Sequence, residues 1–167
     1  MINKINKLSQ SEFIKIFANI FENAGWIAEE LYKQKPFQDF GELSSKIMNI
    51  FEISSKEKKL KILNDHPDLG NKAKISLLTP NSLEEQKTAG LDNCTKEEFS
   101  EFKKLNDAYK KFGFPFILAI KGKNRNEILN NFRKRVASKP EIEFNEAVEQ
   151  VKKIASLRLE DLNNKGI

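Results

Sequence analysis

Apolar residues recur along most of this chain at spacings of three and four, the signature of helices that bury one face. After Ser9, the positions Phe13, Ile16, Phe17, Ile20 and Phe21 form such a stripe and predict a helix that Gly25 breaks. Trp26, Ile27 and Leu31 predict a short second helix, ended before Lys35-Pro36-Phe37, where proline pushes its predecessor into extended geometry. Leu43, Ile47, Ile50 and Phe51 mark a third, and Leu60 and Leu63 a fourth that delivers the chain to His66. A loop or weak helix through Thr79-Pro80-Asn81 follows Gly70, then a short helix from Ser82 to near Gly90. Phe99, Phe102, Leu105, Tyr109 and Phe112 predict a long helix closed by Gly113. Ile128, Leu129 and Phe132 mark the next, and the last runs from near Pro140 to about Leu162. Helix starts carry a repeated Ser/Thr/Asn-x-x-Glu pattern, the capping box, at Ser9/Glu12, Ser54/Glu57, Ser82/Glu85, Thr95/Glu98, Asn124/Glu127 and Ser138/Glu141.

One stretch breaks the period. Phe114-Pro-Phe-Ile-Leu-Ala-Ile120 is apolar throughout, too short for a clear helix and interrupted by Pro115, so it reads as buried extended or irregular backbone. Its peptide groups must find partners locally, in side chains or in a ligand. With glycine and proline only as isolated punctuation, the pattern predicts one all-α domain over residues 1–167. The expected architecture is a bundle of about seven to nine helices with an irregular buried Phe-Pro-Phe segment.

Composition narrows the class. No apolar run approaches the roughly 20 residues that span a bilayer, so a globular protein without membrane contact is expected. The start lacks a signal-peptide layout, and a single cysteine, Cys94, has no internal partner for a disulfide, which points to a reducing cytoplasm. The net charge of +5 comes from lysines scattered among acids rather than from a stripe, which argues against nucleic acid and suits the gathering of a small anion. One His and one Cys form no recognisable metal-ligand cluster, and P-loop, GxGxxG and GxSxG motifs are absent.

Candidate chemistry centres on Asp65-His-Pro-Asp-Leu-Gly70, which holds the only histidine. An imidazole exchanges protons near neutral pH, and Pro67 forces His66 off the helix onto a constrained loop. The same ring could simply complement the helix C-terminal dipole. Ser82, Glu85 and Gln86 offer a hydroxyl, a carboxylate and an amide, although Ser82 and Glu85 also read as a helix cap. Residues 114–120 could floor a small-molecule pocket or serve only as core. On the final helix Phe144, Ala147, Val148, Val151, Ile154 and Ala155 face inward, and Arg158 continues that stripe. A guanidinium there snorkels, pairs with an internal acid, or binds an anionic ligand.

In order along the chain, Phe21-Glu-Asn-Ala-Gly-Trp26, Pro36-Phe37, His66-Pro-Asp-Leu-Gly70, Ser82-x-x-Glu-Gln86-x-x-Ala-Gly-Leu91, Leu105-Asn-x-x-Tyr109, Lys111-Phe-Gly-Phe-Pro-Phe-Ile117 and Ile154-Ala-x-x-Arg-Leu159 resemble one family. It is the 2-oxo-4-hydroxy-4-carboxy-5-ureidoimidazoline (OHCU) decarboxylases of urate breakdown. The resemblance implies an all-helical, cofactor-free, usually homodimeric carboxy-lyase that forms (S)-allantoin and CO₂ from a small ureidoimidazoline. It implies His66 as catalytic acid/base, with Glu85 orienting the ring or binding ureido N–H groups. It further implies Pro67, Ser82, Glu85, Gln86 and the backbone of Phe116, Ile117, Leu118, Ala119, Ile120 and Lys121 as substrate-binding, with Arg158 in the same site. A helical module that binds a ureide or purine product without chemistry is the alternative from another class.

Overall fold

The computed structural model describes residues 1–71 and 77–166; part of the predicted loop or weak helix after Gly70 lies outside the described residues. Among them the regular structure is helical, with nine α-helices: α1 (Ile2–Lys7), α2 (Gln10–Phe17), α3 (Gly25–Tyr32), α4 (Phe40–Glu52), α5 (Lys56–Asp65), α6 (Pro80–Thr88), α7 (Lys96–Tyr109), α8 (Arg125–Val136) and α9 (Pro140–Asn164). The chain is thus all-α, as the periodicity predicts, with α1 an unforeseen addition. No described helix is long and apolar enough to cross a membrane.

Local chemistry explains most helix starts. Ser9, Thr95 and Asn124 each accept from the backbone three residues on, while Glu12, Glu98 and Glu127 return the bond. Three expected cap positions do not coincide with the observed helix starts. The Ser55 hydroxyl, not Ser54, accepts from Lys58 N (3.3 Å), and Ser54 instead donates to the Phe51 carbonyl. Helix α6 starts two residues before Ser82, because Pro80 occupies its first turn and Thr79 accepts from Ser82 N. At α9 Pro140 again opens the helix, one residue too late for Ser138 to cap it.

The chain divides into two compact units, residues 1–62 with 152–167, and residues 63–151, the division falling inside α5 and α9. The first unit is cored by Phe13, Phe17, Phe21, Ile27, Leu31, Leu43, Ile47 and Phe51, all essentially inaccessible. The Phe21 and Phe51 rings stack at 4.6 Å. Helix α2 ends at Phe17, not after Phe21 as its stripe predicts; beyond it the Asn19 carbonyl accepts from Arg158 and Asn23 adopts a positive φ of 50°. Gly25 opens α3 rather than only ending α2.

The second unit is built on aromatic contacts. Phe116 and Phe132 stack at 3.9 Å and 10°, and the edge of Tyr109 meets both rings. Each such pair adds about 0.5–1.5 kcal/mol beyond its buried area. Residues 115–120 carry no regular structure and residues 116–120 are buried, the expected irregular segment.

Candidate active site

Helix α5 ends at Asp65, and the His66 amide closes it by donating to the Leu63 carbonyl at 3.2 Å. Pro67 then blocks continuation. His66 is only 8% exposed, so it is buried rather than standing at a solvated helix end.

The three residues after Pro67 are pinned by side-chain amides from two helices. Gln86 of α6 accepts from Gly70 N (3.2 Å) and donates through Nε2 to the Asp68 carbonyl (3.3 Å). Asn106 of α7 donates through Nδ2 to the Leu69 carbonyl (3.0 Å). Gly70 has φ +64°, and an added Cβ would stand 2.6 Å from Cγ of Phe102, so only glycine lets the loop lie this close to α7. A loop whose backbone groups are satisfied this way holds its neighbour in one place, and that neighbour carries the imidazole.

A cleft of about 280 Å³ opens beside the ring, lined among others by His66, Pro67, Asn106, Lys110, Phe114 and Pro115. His66 and Pro67 therefore share a concavity. The apolar passage contributes its first two residues, Phe114 and Pro115, to that wall. Ser82, Glu85, Gln86 and Phe116 to Lys121 are not on it.

On α6, Ser82 and Gln86 are buried one turn apart on the same face, and Glu85 beside them is half-buried. The cap role expected of Ser82 with Glu85 is overturned, since Thr79 performs it. Gln86 joins His66 through the loop it clamps, a role the sequence pattern does not reveal.

Residues 116–120 are braced from behind by a charged cluster. Arg135, in the last turn of α8, donates from Nη1 to the Ile117 carbonyl (2.5 Å) and lies over the Phe116 ring at 4.6 Å. The same guanidinium donates from Nε to Glu143 (2.7 Å), and the Tyr109 hydroxyl donates to that carboxylate. Burial and the hydrogen bond to Glu143 push the Tyr109 hydroxyl well above its ordinary range, so it stays protonated. Gln150 on α9 accepts from Ala119 N at 2.9 Å. Ile117 O and Ala119 N, expected to hold substrate, are thus already engaged within the protein.

Sequence reasoning missed Arg135, Glu143 and Gln150. The one signal was an acid, Glu143, beside the inward-facing Phe144 at the start of α9.

In the first unit Arg158 is 5% exposed, pairs with the carboxylate of Glu22 at 3.0 Å and donates to the Asn19 carbonyl at 2.9 Å. Of the readings its position allowed, the internal acid is the partner observed. Among the described residues no group of three or more His, Cys, Asp or Glu side chains is placed to hold a metal ion.

Comparison with known proteins supplies a family. The family model described as OHCU decarboxylase matches residues 6–160. The chain is 40% identical over 166 residues to a uric acid degradation bifunctional protein of Bacillus sp. (strain TB-90), spanning 99% of this chain but only 32% of that protein. It is 35% identical to the 2-oxo-4-hydroxy-4-carboxy-5-ureidoimidazoline decarboxylase of Haloferax volcanii, covering 95% of this chain and 93% of the relative. Among solved structures, (S)-allantoin synthase superposes with a TM-score of 0.75 at 30% identity, over 96% of this chain and 53% of the other. An OHCU decarboxylase crystallised in the presence of (S)-allantoin gives a TM-score of 0.71 at 25% identity, over 88% of this chain and 96% of the other. With the family model matched over residues 6–160 and the Haloferax volcanii relative matched over nearly its whole length, this chain belongs to the OHCU decarboxylase family.

Proposed function

We propose that this protein decarboxylates OHCU to (S)-allantoin and CO₂ in urate degradation, with His66 as the proton-transfer group. The observation that carries the reading is a buried, unique imidazole on the wall of a small cleft, its loop held by Gln86 and Asn106. Family membership supplies the substrate class. The further activity of the bifunctional Bacillus protein is not carried over, since this chain spans about a third of it.

The chemistry needs an acid/base and a shaped pocket. The carbon that loses CO₂ also bears a hydroxyl and adjoins a C=N bond. As the C–C bond breaks, its electron pair forms a C=C bond and the imine π electrons move onto nitrogen, which takes a proton. The resulting enol becomes the ring amide carbonyl when its hydroxyl proton leaves and a proton is added at the neighbouring carbon. His66 can accept the first and deliver the second to one face, which sets the hand of the product.

Ser82 and Glu85, which are not on that cleft wall, keep a role at the polar ends of the substrate, and Glu85 one in orienting the ring, by family resemblance alone. Gln86 acts through the loop it clamps. Pro67 forms wall of the cleft, and the backbone of Phe116 to Lys121, with Ile117 O and Ala119 N already engaged within the protein, keeps a binding role by family resemblance alone. Arg158 keeps a ligand role by family resemblance alone; too tight a grip on the departing carboxylate would stabilise the ground state and slow the reaction. The reading takes residues 1–167 as one catalytic domain acting as a cytoplasmic homodimer.

The test generates the substrate in solution by enzymatic oxidation of urate and follows allantoin by circular dichroism. Accelerated appearance of the S enantiomer supports the reading. A thermal shift with allantoin but no acceleration would instead make this chain a ureide-binding module.

A further inference from the structure

We propose that Asn106 is a further substrate-binding residue, whose side-chain oxygen accepts a hydrogen bond from an N–H of a ureide lodged in the His66 cleft. The inference rests on the function proposed above for the same site and adds a contact to it.

Three observations meet at this side chain. Asn106 lines the cleft that His66 lines. Its Nδ2 donates to the Leu69 carbonyl at 3.0 Å, and because a carbonyl only accepts, that bond fixes which way round the amide lies. The oxygen left over, Oδ1, is shielded from water and has no hydrogen-bond partner. Among the described residues it is the one buried side-chain nitrogen or oxygen in that condition.

An acceptor kept from water and left unpaired is a standing cost to the fold, tolerated where a ligand completes it. What completes it must be a donor. A carbonyl or carboxylate brought to the same spot would face another acceptor and be repelled. A ureide is rich in N–H groups, so its amide end rather than its acid end fits here, and the oxygen thereby orients the ligand relative to the imidazole. The loop bond through Nδ2 adds a consequence: one side chain both holds the His66 loop and reads the substrate.

The experiment compares binding of (S)-allantoin with that of its mono-N-methylated derivatives by calorimetry, in the wild-type protein, Asn106→Leu and Asn106→Asp. Leucine nearly preserves shape while removing the acceptor; aspartate keeps an acceptor but loses the donor to Leu69. One methylated derivative is expected to bind the wild type about tenfold or more weakly than allantoin, because it leaves the buried oxygen unpaired. That ratio is expected to shrink towards one in Asn106→Leu and to persist in Asn106→Asp. A purely structural asparagine would weaken both ligands together and leave the ratio unchanged, which would overturn the proposal. Equal binding of every derivative by the wild type, or no binding of allantoin, would overturn it even if Asn106→Leu fails to fold. Wild-type turnover, measured alongside, separates the two readings. Discrimination without turnover counts against the decarboxylase, and turnover without discrimination against Asn106 alone.

Discussion

At the scale of single residues, the loop from His66 to Gly70 shows how few positions carry the geometry of the site. Gly70 combines a left-handed backbone with a Cβ position 2.6 Å from the Phe102 ring. Gly70→Ala is expected to lower stability by about 3 kcal/mol, combining left-handed strain with overpacking, as read by urea denaturation. A loss below about 0.5 kcal/mol would show that the loop can move away from α7. The loop itself was legible in the sequence, because a lone histidine before proline stands out there. The amides that hold it were not, because Gln86 and Asn106 lie 18 and 37 residues from the carbonyls they bind. Spacing reports partners within a turn or two of helix and is silent beyond that.

At the scale of elements, the capping boxes at Ser9, Thr95 and Asn124 were readable because donor and acceptor lie three residues apart. Ser82 was misread for want of weight on Pro80, whose fixed φ and missing N–H suit the first turn of a helix and make Thr79 the cap. Helix α2 stops short of its own stripe, and just beyond its end Arg158 takes the Asn19 carbonyl, a contact 139 residues away in sequence that no local pattern reports. The brace behind residues 116–120 joins α7, α8 and α9 through Tyr109, Arg135 and Glu143, and it makes a prediction in alkali. The Tyr109 proton is held more tightly in the folded state than at the ordinary value of 10.0, so the folded state gains from the neutral phenol. That contribution is fully present below pH 10.0 and is lost progressively above it. Unfolding free energy measured from pH 9 to pH 11 is expected to fall more steeply for the wild type than for Tyr109→Phe (about 1.4 kcal/mol per pH unit for one proton). Parallel curves would mean that Tyr109 ionises as freely folded as unfolded.

At the scale of the whole molecule, the first unit is assembled from both ends of the chain, residues 1–62 and 152–167. The buried pair of Arg158 and Glu22 links positions 136 residues apart. Two charges withdrawn from water at 3.0 Å make a pair that is costly to break and cheap to replace as a whole. Arg158→Met is expected to cost about 4 kcal/mol, because it strands the Glu22 carboxylate, and adding Glu22→Leu is expected to recover most of that. Additive losses on a double-mutant cycle would refute the coupling. With the fold restored, turnover of the double variant then isolates whatever the guanidinium does for substrate. The whole-chain likeness to OHCU decarboxylases was legible as an ordered set of short motifs, none of them specific alone. Their physical sense appears only in the fold, where the motif holding His66, the one ending at Leu91 and the one ending at Tyr109 become a loop and the two helices that clamp it.

The measurement that bears most directly on this account is the rate of (S)-allantoin formation from freshly generated OHCU with wild-type protein and with His66→Ala at equal concentration. The variant keeps Gln86, Asn106 and Gly70, so the loop is expected to stay in place and the protein to stay folded. Loss of the imidazole is expected to lower the enzymatic rate by about 10²–10⁴-fold and to abolish preference for the S enantiomer. Equal rates and equal enantiomeric excess for the two proteins would remove His66 from the chemistry.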